Sequence, residues 1–198
     1  NDDGYDDLVV GAPGFGEQRE GAAFVWFGGP DGLRADGTLA SADWVSVGRV
    51  GNARYGFAVA YVGDLDADGF DDLAIGGPED GDARGGAVSL FFGKDTGLPD
   101  APGWVLEGGS GEAFGSSLSG GDVTRDGFSD LLVGAPGSLL GQVLLYRGGP
   151  GGIVPTPAST LDGREADTGF GAKVAFAGDL DGDGFGDIAV GAPGWDAQ

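Results

Sequence analysis

The segment GDLDGDGFGDIAVGAP, residues 178–193, places four aspartates before an apolar run that ends in Gly-Ala-Pro. The same pattern occurs as GDLDADGFDDLAIGGP at residues 63–78 and as GDVTRDGFSDLLVGAP at residues 121–136, and a shorter copy, NDDGYDDLVVGAP, occupies residues 1–13. The Gly-x-Pro endings are 65, 58 and 57 residues apart, at Gly11, Gly76, Gly134 and Gly191. The chain is therefore built from a repeat of roughly 60 residues.

A second marker, an aromatic residue followed by glycine, precedes three of the copies, at Tyr55-Gly56, Phe114-Gly115 and Phe170-Gly171. One short apolar segment follows this pair, a second follows the acidic stretch, and two more follow before the next pair. Turns rich in Gly, Pro and Asp separate these segments, as is typical of short strands. The pattern predicts an all-β fold of β-propeller blades, each made of four antiparallel strands.

The repeat units are expected at residues 1–50, 51–108, 109–164 and, in part, 165–198, all within one propeller segment. The second strand of the unit occurs four times, whereas the other three strands occur three times each. We therefore expect about three blades plus a partial one, arranged as an open arc. We also expect the chain to be a piece of a longer protein, whose remaining blades would be its partners.

The composition excludes several classes of function. The formal net charge of −22 would repel nucleic acid phosphates, so no nucleic acid partner is expected. The chain contains no Cys and no His, which excludes Ser-His-Asp and Cys-His catalysis and imidazole-bound zinc. No run of 18 apolar residues occurs, so no membrane span is predicted. We expect no intrinsic enzymatic activity.

The acidic stretches have the donor pattern of a metal loop. Numbered from Asp179, carboxylates occupy positions 1, 3, 5 and 9, a glycine occupies position 6, and the carbonyl at position 7 can supply a further oxygen. Converging carboxylates repel one another unless a cation lies between them, and a flexible set of oxygen donors suits Ca²⁺ better than Mg²⁺. An EF-hand needs Glu at position 12 between two helices, but Val190 or Ile75 stands there. The candidate ligands are Asp64, Asp66, Asp68, Phe70 and Asp72; Asp122, Thr124, Asp126, Phe128 and Asp130; and Asp179, Asp181, Asp183, Phe185 and Asp187.

Two copies depart from this pattern. Thr124 replaces the carboxylate at position 3, and Arg125 follows it, so that a positive charge is expected close to the metal of that loop. The copy that opens the chain lacks position 1, and its candidate ligands are Asn1, Asp3, the carbonyl of Tyr5, and Asp7. We expect calcium to fill the loops that begin at Asp64 and Asp179 before the loop that begins at Asp122.

The aromatic-glycine pairs, the GAP or GGP endings and the D-x-D-x-D-G-x-x-D loops resemble the FG-GAP repeat of integrin α-subunit propellers and of related bacterial proteins. The resemblance covers nearly the whole chain. It implies a seven-bladed propeller in the complete protein, calcium loops on one face, partner recognition on another, and an extracellular setting, either secreted or at the cell surface. Animal integrin subunits carry disulfides, so the absence of Cys favours a bacterial or archaeal member.

Three functions remain open at the level of the sequence. The first is a calcium-binding scaffold for extracellular protein recognition or cell adhesion. The second is carbohydrate binding, since aromatic faces stack on sugars, with the candidates Trp26, Trp44, Trp104 and Trp195. The third is an accessory domain of a secreted hydrolase. The expected partner is therefore an extracellular protein or a glycan.

Overall fold

A computed structural model describes residues 3–33, 38–81, 84–166 and 168–195. Apart from one 3-10 turn, Leu39–Ser41, the regular structure of these residues is entirely strand. The strands are β1 (Leu8–Ala12), β2 (Ala22–Trp26), β3 (Trp44–Val47), β4 (Ala58–Gly63), β5 (Asp72–Gly77), β6 (Ala87–Phe91), β7 (Trp104–Glu107), β8 (Ser117–Gly121), β9 (Asp130–Ala135), β10 (Gln142–Tyr146), β11 (Gly148–Gly149), β12 (Gly152–Ile153), β13 (Ser159–Asp162), β14 (Lys173–Gly178) and β15 (Asp187–Gly191).

The strands form four successive antiparallel sheets and one small hairpin. Sheet 1 has the order β1-β2-β3, sheet 2 has the order β4-β5-β6-β7, sheet 3 has the order β8-β9-β10-β13, and sheet 4 pairs β14 with β15. The hairpin β11-β12 lies in the connection between β10 and β13. Sheets 2 and 3 are complete four-stranded antiparallel blades, which confirms the predicted all-β propeller architecture.

The sheets pack face to face along the chain. β4 packs against β8 and β1, and β8 packs against β14, so the first strands of sheets 2, 3 and 4 lie next to one another. All six residues of β5 and of β9 are buried. Because a sheet in the middle of the stack is covered on both faces, its second strand is an almost continuous apolar run without polar alternation. The four sheets thus form a partial propeller.

The hydrophobic core lies in the layers between the sheets. The layer between sheets 1 and 2 contains Val25, Trp44, Tyr55, Ile75 and Phe91. The layer between sheets 2 and 3 is the largest, with members such as Leu90, Phe114, Leu131, Val133 and Tyr146. Tyr55 and Phe114, the aromatic residues of the first two aromatic-glycine pairs, are 5% and 1% exposed. These aromatics therefore fill the space between neighbouring blades.

Glycine is required in the two markers because the backbones of adjacent sheets touch there. A Cβ atom on Gly76 would collide with the carbonyl oxygen of Gly115, and one on Gly134 would collide with that of Gly171. The Gly-x-Pro glycine of one sheet thus lies against the aromatic-glycine pair of the next. This contact explains why both markers recur with the same spacing.

The described residues contain no helix whose length and apolarity would let it cross a membrane.

Candidate metal sites

Three acidic loops connect the first and second strands of sheets 2, 3 and 4. We call them the Asp64 loop (residues 64–72), the Asp122 loop (residues 122–130) and the Asp179 loop (residues 179–187). Each loop ends on the first residue of the second strand, at Asp72, Asp130 or Asp187. All three therefore lie at the same end of the sheets, which we call the acidic end.

The aspartate at position 1 folds each loop by accepting at least two backbone N–H groups. Asp64 Oδ1 accepts from Asp68 N at 3.1 Å, and Asp64 Oδ2 accepts from Gly69 N at 2.8 Å. The Asp122 and Asp179 carboxylates accept the corresponding N–H groups at 2.9 to 3.2 Å. The carboxylate at position 5 accepts the N–H at position 7, as Asp68 does from Phe70 at 3.1 Å. The same bonds recur from Phe128 to Asp126 and from Phe185 to Asp183.

The aspartate at position 9 ties the loop to the rest of its sheet. Asp72 is fully buried, and its Oδ2 accepts from Leu65 N at 2.8 Å while its Oδ1 accepts from Gly93 N at 2.9 Å. Asp130 is also fully buried, and it accepts from the corresponding Gly148 N at 3.2 Å. This structural role of position 9 was not predicted from the sequence, although its place at the start of a buried strand is the signal that could have indicated it.

Two loops bring three carboxylates together. One oxygen from each of Asp64, Asp66 and Asp72 lies within 4.8 Å of the others, and Asp179, Asp181 and Asp187 form the equivalent group. These residues hold positions 1, 3 and 9. The position 5 residues, Asp68 and Asp183, were predicted as ligands but are not part of these groups.

The Asp122 loop forms no such group within the described part of the chain. Its position 3 residue, Thr124, has a buried Oγ1 atom without a hydrogen-bond partner among the described residues. The strand before the loop also differs. β4 and β14 have a register shift at Tyr61/Gly63 and Phe176/Gly178, whereas β8 pairs with β9 without a shift.

This difference in register changes how the loop meets its aspartate at position 9. Gly121, which precedes the Asp122 loop, has a φ of 156°, against 76° for Gly63 and 72° for Gly178. Asp130 Oδ2 then accepts from both Val123 N and Thr124 N, each at 3.0 Å. The N–H of Thr124 thus bonds directly to the position 9 carboxylate in this loop.

The opening copy lies partly outside the described residues, which include Asp3, Tyr5 and Asp7 but exclude Asn1. Asp3 Oδ1 accepts from Tyr5 N at 3.1 Å, and Asp7 Oδ1 accepts from Gly28 N at 2.8 Å. Asp7 thus bonds to the second residue after β2, as Asp72 and Asp130 bond to the second residues after β6 and β10.

Burial and the charges of neighbouring aspartates raise the pKa of Asp66 and Asp72 in the Asp64 loop. Burial raises the pKa of Asp72 to about 7, against the opposing hydrogen bonds from Gly93 and Leu65, and the charges of Asp66 and Asp64 raise it further. Burial, followed by the charge of Asp68, raises the pKa of Asp66. A bound cation would offset both the desolvation and the repulsion.

Neighbouring acidic loops are joined by backbone hydrogen bonds. Ser129 N donates to the carbonyl of Asp64 at 2.9 Å, and Gly186 N donates to the carbonyl of Val123 at 3.3 Å. The guanidinium of Arg125 extends to the next loop, where it lies against Gly184. Its charge therefore faces the Asp179 loop as well as its own.

The four tryptophans divide into two buried and two partly exposed residues. Trp26 and Trp44 are buried, and the indole N–H of Trp44 donates to the carbonyl of Pro99 in the next sheet at 3.0 Å. Trp104 occupies the matching position in sheet 2 and donates to the carbonyl of Gly151 at 3.4 Å. Trp44 and Trp104 thus link adjacent blades, which leaves Trp195, 45% exposed, as the most accessible indole of the set.

The repeat and the loops match known proteins. The FG-GAP repeat matches residues 1–26, 114–153 and 170–198. The chain is 38% identical over 163 residues to integrin alpha-5 of Xenopus laevis, covering 76% of this chain and 15% of that protein. It is 38% identical over 162 residues to integrin alpha-IIb of Homo sapiens, with coverages of 76% and 15%. It is 34% identical over 197 residues to integrin alpha-3 of Cricetulus griseus, covering 95% of this chain and 18% of that protein.

The fold and the acidic loops define a propeller segment that carries FG-GAP repeats and is similar to integrin α subunits. The chain spans less than a fifth of the length of these relatives. The Asp64 loop lies between the segments that match the repeat, yet it has the same hydrogen bonds as the Asp179 loop. The three relatives are vertebrate proteins, so they do not support the expected bacterial or archaeal origin.

Proposed function

We propose that this chain is a calcium-stabilised propeller segment of an extracellular recognition protein. The observation that carries the proposal is the pair of three-carboxylate groups, Asp64-Asp66-Asp72 and Asp179-Asp181-Asp187, in loops of the same shape. Their donors are all oxygen atoms, which suits a hard cation, and a flexible nine-residue loop suits Ca²⁺ better than the rigid octahedron of Mg²⁺.

The proposed ligands are those at positions 1, 3, 5 and 9, with the carbonyl at position 7. In the Asp64 loop these are Asp64, Asp66, Asp68, Asp72 and the carbonyl of Phe70. The ion would supply positive charge where the pKa of Asp72 is raised to about 7. The loops are joined by the hydrogen bond from Ser129 to Asp64. Neutralising the carboxylate charge of one loop is therefore expected to stabilise the neighbouring loop as well.

The recognition role is supported by the similarity to integrin α subunits, which covers 76% to 95% of the chain. On this proposal the chain acts outside the cell or at its surface, binds a protein partner and has no catalytic step. Calcium then has a structural role, because it stabilises the loops at one end of the sheets and leaves the opposite end available for contact.

A melting experiment tests the calcium part of this proposal. The metal-free chain is heated alone, with calcium or with magnesium, beside a double variant, Asp66→Asn and Asp181→Asn, and a control, Asp95→Asn, which removes one exposed charge outside the loops. Binding to the folded state alone stabilises it by about 2.7 kcal/mol at a hundredfold excess of ligand over its Kd. We expect calcium to raise the Tm of the chain and of the control but to act much less on the double variant. Equal calcium shifts in all three proteins would refute the assignment.

A further inference from the structure

A cavity of about 390 Å³ lies between sheets 1 and 2 at the end of the sheets opposite the acidic loops. The turn after β1, the connection from β3 to β4 and the turn after β5 form its walls. In an antiparallel sheet these connections and the acidic loops are at opposite ends, because consecutive connections alternate between the two ends. The cavity is lined by Pro13, Gly14, Arg19, Asn52, Arg54 and Glu79.

The repeat supplies an internal comparison for Arg54, the residue before the aromatic-glycine pair. Arg54 has a left-handed backbone with φ of 58°, and the equivalent residues Ala113 and Gly169 have φ of 54° and 65°. The turn is therefore common to the repeats and needs no charged side chain. Among the three junctions, only the one that forms the cavity has an arginine at this position.

Arg19 differs from Arg84, its counterpart in sheet 2, which pairs with Glu79. It lies two residues before Gly21, and the equivalent positions hold Arg84 in sheet 2 and Leu139 in sheet 3. The Arg19 side chain is exposed, and its guanidinium has no ion-pair partner within residues 3–33, 38–81, 84–166 and 168–195. The guanidinium of Arg19 thus lines the same cavity as Arg54, and no carboxylate of the described residues pairs with it.

The single carboxylate of the cavity is shared. Glu79 Oε1 lies 3.5 Å from Arg54 Nη1, and Glu79 Oε2 lies 3.9 Å from Arg84 Nη1. Arg54 also lies over the ring of Phe57, with 4.3 Å from its Cζ to the ring centroid. These contacts orient Arg54. Nearby Glu20 is engaged with its own turn, where its Oε2 accepts from Gln18 N at 3.2 Å.

We propose that this cavity binds the carboxylate of an Asp or Glu side chain on a partner protein, with Arg19 and Arg54 as the charged donors and Asn52 beside them. A guanidinium matches a carboxylate through two parallel hydrogen bonds. The volume of 390 Å³ is near the lower limit for a ligand site, so it suits one side chain. The net charge of −22 disfavours a long polyanion but imposes a smaller cost on a single carboxylate.

This inference rests on the proposed recognition role but not on calcium binding. It is tested by nuclear magnetic resonance on the ¹⁵N-labelled chain in constant calcium, titrated with the peptide Ac-Gly-Asp-Gly-NH₂ and, separately, with Ac-Gly-Asn-Gly-NH₂. We expect the Nε–H signals of Arg19 and Arg54 to shift saturably with the Asp peptide and not with the Asn peptide. The wild-type comparison needs no variant and therefore no assumption about folding.

Variants then assign the site. Arg19→Leu and Arg54→Ala introduce the residues found at the equivalent positions 139 and 113, and Arg164→Leu removes an exposed arginine from the connection between β13 and β14 as a matched control. Each of the first two is expected to weaken binding about tenfold or more, since a hydrogen bond to a charged group contributes at least that factor. The control is expected to bind as the wild type does.

Three results would overturn the inference. They are equal shifts with the two peptides, unchanged binding by the folded Arg19→Leu and Arg54→Ala variants, and shifts of these arginines by a sulfated heparin tetrasaccharide but not by the Asp peptide. The calcium-dependent Tm of the same samples reports the proposed calcium function separately, so failure of one can be distinguished from failure of the other.

Discussion

The backbone N–H of Ser129 donates to the carbonyl of Asp64 at 2.9 Å, which joins the Asp122 loop of sheet 3 to position 1 of the Asp64 loop in sheet 2. Val123 and Gly186 make the next link in the same direction, at 3.3 Å. The acidic loops are therefore parts of one connected end of the propeller segment. On the proposed function, a cation bound in one loop would act on backbone groups that are hydrogen-bonded to the next loop.

Placing a carboxylate at position 3 of the Asp122 loop is expected to strengthen calcium binding by that loop. Thr124→Asp would place a carboxylate where Thr124 Oγ1 is buried without a hydrogen-bond partner in the described chain. Without metal, the new charge joins a buried Asp130 whose pKa is already raised, so the variant is expected to melt below the wild type. With calcium the difference is expected to shrink or reverse. Calorimetric titration measures the affinity of the weakest calcium site, with Thr124→Asn as the uncharged control. An unchanged affinity at that site in Thr124→Asp would contradict the prediction.

The stability of the metal-free chain is expected to fall as the pH rises through about 7. Burial raises the pKa of Asp72 from 3.8 to about 7 in the folded state. Because the folded pKa is the higher one, the stabilisation from protonating Asp72 is complete below 3.8 and is lost as pH rises through 7. The metal-free chain should thus have a higher Tm at about pH 5.5 than at about pH 8, and calcium should raise the Tm more at the higher pH. Asp72→Asn is expected to flatten this dependence. A metal-free Tm that rises between these two values would count against the account.

Alanine in place of a Gly-x-Pro glycine is expected to destabilise the fold, because this glycine contacts the aromatic-glycine pair of the next sheet. Gly76→Ala or Gly134→Ala forces a Cβ into a carbonyl oxygen of the next sheet and should cost about 1 to 3 kcal/mol of unfolding free energy, the range for overpacking. Gly14→Ala is the matched control, because a Cβ there meets no atom within 4 Å. Its effect should stay within about 0.5 kcal/mol. Denaturant melts of the three variants measure the difference, and equal losses in all of them would show that the close approach is not the cause.

The blade architecture could be predicted because each strand is bounded by a local signal. The proline at Pro13, Pro78 or Pro136 directly follows the second strand, and the acidic loop directly precedes it. Counting the repeated segments then predicted three copies of three of the four blade strands, and four copies of the second strand. The hairpin β11-β12 was not predicted, since two-residue strands leave almost no pattern in the sequence.

The acidic loops could be located from the sequence, but their differences in geometry could not. The spacing of the aspartates predicted positions 1, 3, 5 and 9 of each loop. The absence of a register shift before Gly121 is a property of the pairing between β8 and β9, which the loop motif does not specify. From the sequence, the aspartate at position 9 was predicted only as a metal ligand. Its second role, as acceptor for Leu65 and Gly93 in the case of Asp72, requires a contact with a residue 21 positions away. Such contacts are set by sheet pairing rather than by the motif.

The roles of two tryptophans are a further case where local sequence was insufficient. Trp44 and Trp104 were candidate sugar platforms because an aromatic face can stack on a sugar ring. Their indole N–H groups instead donate to carbonyls in connections of the next blade, at Pro99 between β6 and β7 and at Gly151 between β11 and β12. These bonds span 55 and 47 residues, so only the tertiary arrangement reveals them.

Site-resolved calcium titration tests the central claim most directly. The N–H groups of Gly69, Gly127 and Gly184 each donate to the position 1 aspartate of a different loop, so their ¹⁵N–¹H signals report the three loops separately in one experiment. When calcium is added to the metal-free chain, the signals of Gly69 and Gly184 are expected to shift at lower calcium concentration than that of Gly127. Asp187→Ala should abolish the shift at Gly184, whereas Asp130→Ala should leave Gly69 and Gly184 responsive. If Gly127 shifts first, or if none of the three signals responds up to about 10 mM calcium, ten times the weak limit for extracellular calcium modules, the account is contradicted.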